Sequence, residues 1–89
     1  MTPQVDIRIG SVVFSKAGRD KNSFLAVTGI TEKGISVADG KVRPLARPKL
    51  KNPRHLSVTR AVLSSEDLRS DRALKRALAE FQKSEVEDA

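Results

Sequence analysis

The 89-residue chain has no cysteine, no tryptophan and no tyrosine, and its aromatic content is three phenylalanines. Without cysteine there is no disulfide scaffold, no thiolate zinc site and no cysteine nucleophile. The opening Met1–Asp6 has neither a basic nor an apolar leader segment, and no apolar run approaches the ~20 residues needed to span a membrane. A soluble, cytoplasmic protein is expected. So few rings exclude a broad platform for stacking bases and an aromatic cage for methylated side chains. There is one histidine, His55, and the acids of residues 1–60 (Asp6, Asp20, Glu32, Asp39) fall in the N-terminal arm or in turns. General acid/base work needs titratable groups held together and desolvated, a metal needs several ligands at close spacing, and a phosphate loop needs glycines between a strand and a helix. None of these patterns is present, so a non-enzymatic protein without metal or cofactor is expected.

Positive charge is abundant. The formal net charge is +6, and it is unevenly spread: residues 1–60 carry twelve Lys/Arg against four Asp/Glu, residues 61–89 five against seven. A basic block joined to a mildly acidic tail points to a polyanionic partner for the block and a different task for the tail. A chain this short holds one small domain with a small core.

Ser15–Asn22, a polar loop between the apolar runs Val12–Phe14 and Phe24–Val27, reads as the tip of a β-hairpin. Gly18 supplies a positive φ, Asp20 or Asn22 closes the turn, and Lys16, Arg19 and Lys21 project from it. The first strand is expected over Ile7–Lys16 with a bend at Gly10, and the second over Ser23–Ile30. Two registers of the first strand compete, one burying Val13 and Ser15, the other Val12 and Phe14. A third strand, Ile35–Ala38, is followed by Asp39-Gly40, a preferred type I′ turn, which predicts a fourth strand at Lys41–Arg43 ended by Pro44. The prolines at 44, 48 and 53 predict a surface loop from Pro44 to His55. Lys41, Arg43, Arg47, Lys49, Lys51 and Arg54 are six cations without an intervening acid. A fifth strand, Leu56–Thr59, completes a small antiparallel barrel or curled sheet.

The tail reads as helix from about Ser65 to Lys83, with Ser64 as N-cap, Asp67 completing a capping-box-like start, and Asp71 and Lys75 four residues apart. Leu74, Ala77, Leu78 and Phe81 form an apolar stripe that either packs on the chain's own sheet or meets a protein partner.

The 27 residues from Arg8 to Gly34 resemble a KOW motif, with alternating apolar and polar positions and the motif's eleventh-place glycine at Gly18. The continuation through Val37–Gly40, Arg43, Lys49, Lys51, His55 and Leu56 is similar to bacterial KOW-domain RNA-binding proteins, which in turn resemble a KOW-containing large-subunit ribosomal protein of archaea and eukaryotes. The likeness covers residues 7–60. It implies an SH3-like barrel over those residues. With the helix and ends read from the residues themselves, the expected fold is mainly β, a barrel of about five strands with a C-terminal α-helix, organised as a flexible arm (1–6), the barrel (7–60), a helical segment (61–84) and a disordered acidic end (85–89). The likeness further implies RNA contact through the Gly18-Arg19-Asp20-Lys21 loop and its neighbours. The expected partner is structured RNA, ribosomal or translation-linked, gripped at its phosphates by Lys16, Arg19 and Lys21 and by Lys41, Arg43, Arg47, Lys49, Lys51 and Arg54. His55 is a hydrogen-bonding residue beside the last strand or a further RNA contact. The alternative is a protein-interaction barrel of the transcription or translation machinery that docks an acidic partner.

Overall fold

In the computed structural model, which describes the backbone of residues 7–87 and the side chains of residues 7–83, Val12, Val13 and Phe14 belong to one strand that is covered on both faces. This strand is β1 (Ser11–Ser15); it is followed by β2 (Phe24–Thr31), β3 (Gly34–Ala38), β4 (Lys49–Lys51), a 3-10 turn (Pro53–His55), β5 (Leu56–Val62) and α1 (Asp71–Glu87). All neighbouring strands are antiparallel, in the order β4-β3-β2-β1-β5. The fold is mainly β, five strands and one C-terminal helix, consistent with a small barrel-like architecture.

The sheet has to curl. Flat, its two edge strands would lie about 19 Å apart, four strand spacings of ~4.8 Å. Yet β4 and β5 are joined by residues 52–55, a link that contains a 3-10 turn and covers well under its extended limit of about 18 Å. Curling encloses one core of Val13, Leu25, Val27, Ile35, Val37 and Leu56. The outer face carries Val12, Ala26 and Ala38 and is covered by Leu74 and Leu78 of α1, with Phe24 and Phe81 packed beside them. Both candidate registers of the first strand therefore place residues in a core: Val13 and Ser15 face inward, Val12 and Phe14 face the helix. A strand buried on both sides reads as a continuous apolar run, so alternation could not choose between them.

The structure corrects three local expectations. Residues 41–43 are not a strand, and Asp39-Gly40 is not a hairpin turn: Gly40 has φ 80°, but Asp39 lacks the positive φ that a type I′ turn requires at its first central position. Asp39 Oδ1 instead accepts from the Lys41 and Arg43 backbone N–H groups, both at 2.8 Å, and the loop 39–48 reaches out to the helix. There Leu45 N–H donates to Asp71 Oδ1 at 2.7 Å. The fourth strand lies later, at β4, inside the stretch expected to be loop; its three residues fit between Pro48 and Pro53 as an edge strand. The helix starts at Asp71 rather than near Ser65. Ser64 and Asp67 do make the reciprocal bonds of a capping box, but they close an isolated turn, and Ser70 caps α1 through Ala73 N–H.

The remaining boundaries shift less. β1 begins at Ser11 rather than Ile7, and β5 runs on to Val62. The arm expected at 1–6 lies outside the described residues, as do 88 and 89 of the expected acidic end, whereas the backbone of 85–87 is helical.

Gly40 has a second role. A Cβ at this position would fall on the Asp71 carbonyl oxygen and 3.1 Å from Lys75 N. Gly40→Ala is therefore expected to lift the 39–48 loop off the helix and cost about 2 kcal/mol, from the positive φ and the close approach together. A urea midpoint equal to that of the wild type would show that the loop does not pack there.

Candidate functional site

The hairpin tip between β1 and β2 is tied at every turn. Ser15 N–H donates to Ser23 O, Asn22 N–H to Ser15 O, Lys21 N–H to Gly18 O, and Ser23 N–H to Asp20 O, at 2.8–3.1 Å. Gly18 (φ 82°) and Asn22 (φ 70°) supply the left-handed positions that so tight a loop needs. Lys16 N–H donates to His55 O at 2.8 Å, which joins the tip to the 3-10 turn, and Asn52 Oδ1 caps that turn by accepting from Arg54 N–H.

Beneath the tip lies an ion-pair cluster. Asp20 is 6% exposed and faces inward, with its carboxylate 3.4 Å from Arg43 Nε and 3.5 Å from Lys51 Nζ. Lys51 extends from the inner face of β4 across the curled sheet and also donates to Ala17 O at 2.9 Å. The positive φ of 82° at Gly18 favours glycine there, and a Cβ would also stand 3.3 Å from Lys51 Nζ. Three of the residues singled out in the sequence, Asp20, Arg43 and Lys51, thus hold the tip to β4 and to the 39–48 loop. Asp20 and Lys51 are buried and Arg43 is half-buried.

The outcome is a rim at one end of the sheet on which Lys16, Gly18, Arg19, Lys21, Arg54 and His55 are all exposed. The tip's single acid points away from it. Lys41 is exposed on the adjoining loop, across an open groove of about 400 Å³ lined by Asn22, Ser23, Phe24, Val42, Lys75 and Gln82 among others. Arg47 and Lys49 are exposed as well, but among the described residues no hydrogen bond links them to the tip. Lys49 sits on the edge strand opposite Val37, and Arg47 closes a turn onto Pro44 O.

The three phenylalanines are half-buried and pack on one another. Phe24 meets Phe14 and Phe81 edge-to-face, each pair at 5.1 Å between ring centres, at the junction of sheet and helix. Among the described residues no three His, Asp or Glu side chains gather where a metal could bind, and no helix is long and apolar enough to cross a membrane.

Sequence reasoning placed Lys75 beside Asp71 but missed that the exposed cations just before and within the first turns of α1 form a cluster. Averaging residues 61–89 to a slightly negative charge concealed Arg69, Arg72, Lys75 and Arg76, which cluster at the start of the helix ahead of its acidic end; a window of eight residues separates them. No protein-family model and no curated protein sequence matches the chain.

Proposed function

We propose that this chain is a non-enzymatic RNA-binding module of the KOW type that holds structured RNA, ribosomal or translation-linked, in the cytoplasm. The observation that carries this reading is the inward turn of Asp20. With the tip's only acid buried against Lys51 and Arg43, Lys16, Arg19 and Lys21 on the tip and Arg54 on the 3-10 turn bonded to it are exposed on segments that hydrogen bonds hold still. Cations fixed on a rigid loop neutralise phosphates at little entropic cost, and phosphate binding supplies affinity with weak sequence information. Phe14, Phe24 and Phe81 are half-buried and packed edge-to-face on one another, which supports recognition of folded RNA by shape and backbone rather than by stacking on unpaired bases. In this mechanism the rim residues, with His55 beside Lys16, follow one stretch of backbone. Lys41, Arg47 and Lys49 are accessible to adjoining phosphates, while Lys51 and Asp20 keep the tip in place.

Capture of the protein from lysate, with and without ribonuclease, tests this directly. Co-purifying RNA and the loss of all partners on digestion are expected. Partners that survive digestion would favour a barrel that docks an acidic protein.

A further inference from the structure

Resting on that reading, we infer that the first two turns of α1 form a second half of the RNA-binding surface, with Lys75 engaging phosphates across the groove from the hairpin tip and Arg72 and Arg76 engaging them on the adjoining face of the helix. All three side chains are exposed. Lys75 shares the lining of the 400 Å³ groove with Asn22 and Ser23 of the tip and with Asp39 and Lys41, so it faces the tip across one depression. Arg72 and Arg76 line a separate depression of about 220 Å³ with Arg69 and Ser70, on the neighbouring face of the helix. Between Lys75 and the tip the groove offers the polar side chains of Asn22, Ser23 and Gln82, which suit ribose hydroxyls and phosphate oxygens, and its one acid, Asp39, is engaged by the Lys41 and Arg43 backbone N–H groups.

Folding alone does not account for this placement. The positive end of a helix dipole favours acids and disfavours cations, and like charges four residues apart, such as Arg72 and Arg76, repel. The acid of the first turn, Asp71, is occupied by the Leu45 N–H, and Glu66 is paired with Arg69 at 3.3 Å. Among the described residues no ion pair neutralises Arg72, Lys75 or Arg76. A cluster that opposes the stability of its own helix is relieved by a polyanion laid against it, which is the pattern expected where function overrides local preference. The occupant is a folded RNA whose backbone passes from the tip over the groove onto α1.

The test uses the full chain carrying Arg72→Gln, Lys75→Gln and Arg76→Gln, compared with an Arg19→Gln/Lys21→Gln tip variant, on a short RNA stem-loop. The helix variant should weaken binding and lower the slope of log K against log salt by about two, at roughly 0.7–0.9 for each phosphate no longer neutralised. Its melting temperature should stay level or rise, because the removed charges oppose the dipole; a purely structural role for these residues would lower it. Unchanged affinity and slope in the helix variant, with binding abolished in the tip variant, would overturn this inference and leave the proposed function standing. Failure of the wild type to bind the stem-loop or any cellular RNA would overturn both.

Discussion

Replacing Leu74 with alanine is expected to cost about 3 kcal/mol and lower the melting temperature by about 15 °C. Leu74 has no exposed surface and, with Leu78, fills the space over Val12, Ala26 and Ala38. The neighbours cannot collapse into the gap, because the sheet beneath is fixed by β1–β2 and β2–β3 pairing and the helix above by the Asp71–Leu45 bond. A domain of this size has a total stability of only about 5–15 kcal/mol, so the loss is a large fraction of it. For the same reason a chain ended at Ser64, which keeps all of β5, should lose dispersed amide signals, since it would expose the outer face of the sheet. Thermal unfolding followed by circular dichroism decides the point. A fall of only a degree or two for Leu74→Ala would make α1 an appendage.

Asp20→Ala should be comparably severe, about 3–4 kcal/mol, although Asp20 lies in a polar loop. Its removal leaves the Lys51 ammonium, 7% exposed, with Ala17 O as its remaining bonded partner. A buried charge stripped of its counter-ion costs far more than the pair contributes, whereas replacing both members with apolar groups is often nearly neutral. The double variant Asp20→Ala/Lys51→Met should therefore recover most of the lost stability, and a double-mutant cycle measured by urea unfolding isolates the coupling. Additive losses would mean that the two residues act independently.

These two positions mark where the sequence was legible and where it was not. The hairpin tip, β2 and β3 follow from local patterns: apolar runs on either side of Gly18, and alternation over Ile35–Ala38. The tip was legible as a basic loop, but a count of charges cannot tell a solvent-facing cation from one under a loop, and Lys51 looked like Lys49. Both project from the same face of β4, opposite Val37 and Ile35, and only their places along the strand separate them: Lys51 lies beside Asp20, whereas Lys49 is exposed. The 39–48 loop misled for a related reason. Asp-Gly has a strong local preference for a tight turn, and here a tertiary interaction with α1 takes both residues for another purpose. β4 itself, Lys-Leu-Lys between prolines, is too short to show a period, and its burial is the reverse of its polarity, with Leu50 exposed and Lys51 buried. At the helix, the Ser64–Asp67 box formed as its sequence dictates, yet Leu68 packs toward the outer core and the chain turns before the helix begins at Asp71.

The central claim is that exposed tip cations bind RNA phosphates. Its most direct test is the salt dependence of RNA affinity for the wild type and for a variant with Lys16, Arg19, Lys21 and Arg54 changed to Gln. All four side chains are exposed, so the variant should melt within a degree or two of the wild type. Lys51 is kept, because its substitution would confound binding with stability. The account predicts weaker binding and a slope of log K against log salt reduced by about three, four phosphates at roughly 0.7–0.9 each. A folded variant with the affinity and slope of the wild type would contradict it.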